Sequence, residues 1–433
     1  MSTQGQRDFR PQFHFTPPAN WMNDPNGMVF ENGSYHLFYQ HDPNSTFPQT
    51  MHWGHAISTD LLTWQHRPVA IAPDELGVIF SGSAVYDEHN TSGLGTVGQA
   101  PIVAMYTSHG ECEQQSVAYS LDGIHFTKYE QNPVIKNPGI TDFRDPKMFW
   151  NPVRGCWSLV LAAKDRVHFY ASDNLLDWHK TGEFGPEGNL APGIWECPDL
   201  FPLPTRDGEK WLLLVSMTTT PEQGQIIPQY FIGDFDGNTF INSQPFDEVA
   251  RVDEGFDHYA GVTFQNAPER IFLAWASNWG YAAQLPTGDY CGQMSLARSL
   301  KLVKTSDDDL RLGGKPILPA DQSESETTPR HSFTGEQPLT SETFQLKFTA
   351  DGPSEIVLKN QSGQMLKLGV NQQNEFYIDR SKAGADDFHP QFQMELYQRR
   401  SYPRFFNGSY QLDLIFDVSV VDAFIDQGTR SYT

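Results

Sequence analysis

The chain of 433 residues carries 53 acidic against 30 basic side chains, a formal charge of −23, and no apolar run approaching the ~20 residues needed to span a bilayer. That charge excludes a nucleic-acid binder, which needs a basic face, and weighs against strongly anionic substrates; most of it serves solubility. The length suits two domains rather than one core.

The opening MSTQGQRDFRPQ is polar and holds no apolar leader segment, which points to a cytoplasmic protein or a mature form whose leader has been removed. Next comes WMNDPNG (21–27). Pro25, Asn26 and Gly27 are turn residues, so the plain reading is a tight turn. Trp21, Met22 and Asn23, crowded against Asp24, are more than a surface turn needs.

A short pattern then recurs roughly every 50–65 residues, the length of a propeller blade. It reads STDLLTW (58–64), SLDGIHF (120–126), SDNLLDW (172–178) and DFDGNTF (234–240). In each, Asp60, Asp122, Asn174 or Asp236 precedes an aromatic four positions on, and each copy follows a strand-like run: HWGHAI, SVAY, VHFYA, QYFIG. A polar turn between such runs is the last hairpin of a β-meander. About five such blades fill residues 1–312 as a propeller, although no clean fifth copy of the turn is visible. Strand texture does continue through IFLAWASNW (271–279) and MSLARSL (294–300). Residues 313–335, rich in Pro, Ser, Thr and Glu, read as a linker. From 336 to 433, alternating runs such as FQLKFTA and YQLDLIFDVS read as an antiparallel β-sandwich. Cys112, Cys156, Cys197 and Cys291 lie far apart without a C-x-x-C pair, so neither a disulfide framework nor a structural zinc site is expected.

Two further acids sit in unusual company: Asp145 in FRDPKMFW (143–150) and Glu196 in WECPDLF (195–201). Asp24, Asp145 and Glu196 each fall near the start of a blade, and inner strands line a propeller's axis, so the three should converge. Two carboxylates about one glycosidic bond are the minimum kit of a glycosidase. Asn23 and the turn's N–H groups should keep the Asp24 pKa low, whereas Trp195, Cys197 and Pro198 should raise that of Glu196 toward an acid's role. Asp145 beside Arg144 should stay ionised and bind hydroxyls. Taken singly, the plain readings are a structural Arg144–Asp145 pair and a strand-end carboxylate at Glu196. The 10 Trp, 16 Tyr and 30 Phe suit both a propeller core and sugar stacking.

In this order, WMNDPNG, FRDP and WECPDL resemble the signature set of glycoside hydrolase family 32, the invertases, inulinases and levanases. HLFYQHDP (36–43), MHWGHAISTDLLTW (51–64), IFSGSAV (79–85), the ASNW ending at Trp279 and LIFDVSVVDAFIDQG (414–428) extend the resemblance along nearly the whole chain. It implies an all-β fold, a five-bladed β-propeller followed by a β-sandwich, and retaining, exo-acting cleavage of β-fructofuranosides such as sucrose and short fructans. By position Asp24 matches the nucleophile, Glu196 the general acid/base and Asp145 the transition-state stabiliser. Asn23, Gln40, Trp53, Phe80, Ser81, Arg144 and Trp279 fall on positions lining the fructose pocket. No metal, organic cofactor, nucleic acid or membrane is implied. A fructosyltransferase with the same trio, a sucrose-6-phosphate hydrolase and, remotely, a non-catalytic sugar-binding propeller are the alternatives. Asp422 stands where the family usually has Glu, and the chain stops soon after it. An exposed sandwich edge is therefore expected, belonging either to a truncated product or to a homodimer whose second subunit covers it.

Overall fold

The computed structural model describes residues 9–188, 193–219, 225–245, 250–319, 335–336, 338–339 and 341–433. Five antiparallel meanders succeed one another at 20–71, 78–128, 143–184, 193–242 and 259–316. Their first strands are Asn20–Glu31, Val78–Tyr86, Phe143–Asn151, Gly193–Thr205 and Tyr259–Thr263. Each packs beside the next, and the fifth packs back against the first. Backbone hydrogen bonds seal that closure: Gln265 N–H donates to Met28 O at 2.9 Å, Phe30 N–H to Gln265 O at 2.9 Å, and Asn20 N–H to Asp289 O at 2.8 Å. The chain is thus a β-propeller followed by a β-sandwich.

The recurring sequence pattern has one physical cause. Asp60, Asp122, Asn174 and Asp236 each sit between the third and fourth strands of a blade. In each, one side-chain oxygen accepts two backbone N–H groups, as Asp60 Oδ1 does from Leu62 at 2.9 Å and Thr63 at 2.7 Å. A short polar side chain is the economical way to close such a turn, so it repeats. In the fifth blade Thr305 N–H instead donates to Asp309 O at 2.9 Å, a backbone closure that needs no such residue.

The fifth blade's last strand runs Leu310–Pro316, so the segment expected to be linker from 313 begins as paired strand. Residues 320–334 of that segment lie outside the described residues. The sandwich then stacks two four-stranded sheets over Leu368, Phe376, Leu414, Ile425 and Tyr432. Its last strand, Arg430–Tyr432, has one flank on Val420–Ile425. The other flank, expected to be exposed, is met by the propeller itself. Glu254 N–H donates to Ser431 O at 2.7 Å, Asp257 N–H to Thr433 O at 3.0 Å, and Phe256 is buried in the sandwich core.

A second clamp joins the chain's two ends. Buried His14 places Nδ1 2.8 Å from Asp417 and Nε2 2.8 Å from Asp422, while Asp417 also accepts the N–H groups of Gln12, Phe13 and His14. Burial alone would depress the imidazole, but Asp422 and Asp417 outweigh it and hold its pKa up at about 9. For Asp417, burial is opposed and outweighed by His14, which holds the carboxyl below its ordinary value. A histidine raised above its unfolded pKa stabilises fully below about pH 6.5, and loses that contribution as pH climbs through its folded value. Between pH 6.5 and 9 the protein should therefore lose on the order of 3 kcal/mol of stability from this group. Urea denaturation across that range checks it: the slope should vanish in His14→Gln, and a wild-type midpoint that stays flat would contradict the clamp.

Candidate active site

A regular strand shows alternate residues to one side, so it can offer an axis only every second side chain. All five inner strands break that rule at an equivalent place, and the first breaks it again between Asn26 and Val29. Their pairing shifts register between Met22 and Pro25, Ile79 and Gly82, Arg144 and Lys147, Glu196 and Asp199, and Tyr259 and Val262. Each is a β-bulge falling on one tripeptide: Asn23-Asp24-Pro25, Phe80-Ser81-Gly82, Arg144-Asp145-Pro146, Glu196-Cys197-Pro198 and Tyr259-Ala260-Gly261. The third residue is always Pro or Gly. Proline takes no part as a donor in the ladder, and at Gly82 and Gly261 a Cβ would stand 2.0 Å from Met105 O and 2.2 Å from the Phe272 ring. Asp145, Cys197 and Ala260 take positive φ, a cost that non-glycine residues bear at functional sites.

The bulges bring Asn23, Asp24, Phe80, Ser81, Arg144, Asp145 and Glu196 together around one cavity of about 260 Å³, with Gln40 and Trp279 on its wall. That is below the ~300–1,000 Å³ of drug-sized sites and suits one sugar ring. On the same strand as Asp145, buried Lys147 donates from Nζ to Thr263 O and lies 3.3 Å from Asp199. Trp279, 40% exposed, stacks on Trp21 at 5.9 Å and leans on Trp275 at 4.7 Å. Trp53 does not reach the cavity. It is wholly buried and donates its indole N–H to Phe80 O at 3.0 Å, so it braces the wall from behind.

Asp24 accepts from Ser81 Oγ at 2.6 Å, Asn23 Nδ2 at 2.9 Å and the Cys197 thiol at 3.4 Å. Asn23 is itself fixed by the Trp21 indole N–H at 2.6 Å. Asp145 accepts the Cys197 N–H at 2.9 Å. The Arg144–Asp145 pair does not form. Arg144 turns instead to Glu113 at 2.9 Å, Asp142 at 2.7 Å and Glu196 Oε1 at 3.1 Å. Glu196 Oε2 accepts the Tyr259 hydroxyl at 2.5 Å and the Thr218 hydroxyl at 3.3 Å.

These surroundings correct the electrostatic expectations. Burial raises the Asp24 pKa despite the hydrogen bonds from Ser81 and Asn23, so its value is not low. Burial also lifts Asp145 to about 7, with Arg144 opposing and Glu196 and Asp24 adding to the rise. The apolar setting expected around Glu196 is absent because Trp195, one residue before it, points to the opposite face and packs on Phe231 at 5.7 Å. Glu196 faces a guanidinium and two hydroxyls instead.

Sequence reasoning missed Pro48, Gln49, Met51, Val78 and His109 on the wall. It also missed Tyr259 and Glu113. Tyr259-Ala260-Gly261 carries no acid, and only alignment of the five Pro/Gly-ended tripeptides would have exposed it. Among the described residues no group of three or more His, Cys, Asp or Glu is arranged to hold a metal ion.

The model of the glycosyl hydrolases family 32 N-terminal domain matches residues 14–313, and that of the family's C-terminal domain matches 317–433. A levanase of Bacillus subtilis is 41% identical over 100% of this chain and 67% of its own length. An extracellular exo-inulinase of Aspergillus ficuum is 36% identical over 98% of this chain and 89% of its own. Among solved structures, the exo-inulinase of Aspergillus awamori superposes with a TM-score of 0.89 at 32% identity, covering 99% of this chain and 92% of that one. A β-fructofuranosidase of Schwanniomyces occidentalis complexed with fructosyl-erythritol gives 0.86 at 31% identity, covering 98% and 90%.

Removing a donor from an ionised carboxylate raises its pKa. Ser81→Ala should accordingly move the Asp24 titration upward, as carbon-detected NMR of labelled aspartate would follow. An unchanged titration would mean that the 2.6 Å contact contributes nothing.

Proposed function

From membership of glycosyl hydrolase family 32, to which the chain belongs, we infer an exo-acting β-fructofuranosidase that removes terminal non-reducing fructosyl residues from sucrose and short fructans. One observation carries the mechanism. Asp24 has three hydrogen-bond donors and no cationic partner among the described residues, and it shares a ring-sized cavity with Glu196.

A carboxylate so held keeps its reactive electron pair available, whereas one locked to a guanidinium does not. Asp24 attacks the anomeric carbon as Glu196 delivers a proton to the leaving oxygen, giving a fructosyl ester. Water then gives a proton to Glu196 as its oxygen bonds to that carbon, and fructose leaves with retained configuration. Asp145 binds fructose hydroxyls and offsets charge developing on the ring. Trp279, backed by buried Trp21, supplies an apolar wall for the sugar, and Asn23 holds Asp24 in line.

Support for exo action comes from the exo-inulinases among the relatives, together with a cavity sized for one sugar ring. The phosphorylated alternative is disfavoured because Arg144, the sole Lys or Arg among the described lining residues, is already engaged by Glu113, Asp142 and Glu196.

Inulin and levan should yield fructose as the only monosaccharide at early times, sucrose should yield fructose and glucose in equal amounts, and sucrose-6-phosphate should be the poorer substrate. Asp24→Asn should abolish turnover, and Glu196→Gln should lower kcat about 10²–10⁴-fold. Chromatography of early time points checks this. Internal fragments from inulin, or an Asp24→Asn protein that still turns over, would overturn the reading.

A further inference from the structure

Glu196 meets a different kind of partner on each carboxyl oxygen. Oε1 faces Arg144 Nη2 at 3.1 Å, and Oε2 faces the hydroxyls of Tyr259 at 2.5 Å and Thr218 at 3.3 Å. The propeller's repeat creates this asymmetry, because Arg144 and Tyr259 hold the same tripeptide position as Glu196 in the blades before and after it. Arg144 cannot swing away: Glu113 grips its Nη1 at 2.9 and 3.2 Å and is itself tied to the Phe143 N–H at 2.6 Å.

The chemistry of the two sides differs. A guanidinium only donates, so a proton on Oε1 would point at another N–H. A hydroxyl donates or accepts, so a proton on Oε2 finds a partner that turns to receive it. Tyr259 is buried, and burial together with the charge of Glu196 pushes its phenol well above the ordinary 10, so it keeps its own proton throughout.

We propose that Oε2 is the proton-bearing oxygen of the acid/base, and that Tyr259 is a positioning residue that tracks the proton by reversing its hydrogen bond. This rests on the acid/base reading of Glu196. With Glu196 protonated, Oε2–H donates to the phenol oxygen. An arriving glycosidic oxygen replaces the phenol as acceptor. The proton passes to that oxygen as its bond to the anomeric carbon breaks and the bond to Asp24 forms. The phenol O–H then turns back to donate to the new carboxylate. In the second half-reaction a water proton goes to Oε2, the water oxygen bonds to the anomeric carbon, and the ester bond to Asp24 breaks. Tyr259 neither gains nor loses a proton in either half.

The test is the pH dependence of kcat/KM on sucrose for the wild type, Tyr259→Phe, Thr218→Val and Glu196→Gln. The basic limb belongs to Glu196 and should be missing in Glu196→Gln. Loss of a donor to the carboxylate should move that limb upward by about one unit in Tyr259→Phe, and less in Thr218→Val. Turnover at the optimum should fall about tenfold in Tyr259→Phe. A Tyr259→Phe enzyme that is slower but keeps the wild-type basic limb has lost a structural support only, which overturns the proposal, as does a limb that moves downward. A basic limb that persists in Glu196→Gln is a different result: it removes the acid/base assignment itself, and this proposal with it.

Discussion

A strand passing the axis of a ring can show that axis every second side chain, and one active site needs more than that from each blade. A bulge inserts one extra residue and so turns two successive side chains toward the same region. Here the device recurs in all five blades at one height, which sets Asn23, Phe80, Arg144, Glu196 and Tyr259 in one tier and Asp24, Ser81, Asp145, Cys197 and Ala260 in another. Ring closure through Gln265 and Met28 fixes the radius at which these tiers meet. The strain of positive φ at Asp145, Cys197 and Ala260 is borne by the packed sheets on either side.

Crowding three carboxylates this way has electrostatic consequences. Burial lifts Asp24 and Asp145, the charge of Glu196 raises both further, and that of Asp24 adds to the rise of Asp145. One guanidinium, shared among Glu113, Asp142 and Glu196, supplies the main opposing charge at that level. Buried Lys147 sits against Asp199. Between Asp24 and Asp145 stands Cys197, its Sγ 3.4 and 3.6 Å from their oxygens. Burial and the two acids drive the thiol's pKa far up, so it remains a neutral donor separating like charges. Asp24 is left with hydrogen bonds alone, the condition for a nucleophile, while Glu196 is flanked by partners suited to a proton's arrival and departure.

Much of this was legible in the sequence because some of its physics is local. The Asx turns repeat since each is closed by its own side chain, and that repetition disclosed the propeller without any structure. The acids stood out because Asp24, Asp145 and Glu196 each precede or adjoin a proline in aromatic company. What failed was everything set by direction. Trp195 was read as the environment of Glu196, yet strand alternation sends it to the other face, and Trp53 turns its ring into the core behind Phe80. Arg144 was read beside Asp145, yet it crosses to Glu113 on the neighbouring blade. The low pKa expected of Asp24 counted donors and omitted burial. Residues 313–316 looked like linker by composition, yet they pair with Arg298–Lys304, because pairing depends on a partner that composition does not contain. The sandwich edge looked bare for the same reason, its cover being residues 252–257 of the propeller.

The central claim is that these bulges make Asp24, and neither of its acidic neighbours, the atom donor of a covalent bond to fructose. Incubating Glu196→Ala with β-fructosyl fluoride, a donor whose departure needs little acid help, should form the ester faster than it is hydrolysed. Peptide mass spectrometry should then find one anhydrofructosyl group on the peptide containing Asp24. A label on Asp145, or fluoride release with no labelled peptide at any time, would contradict the account.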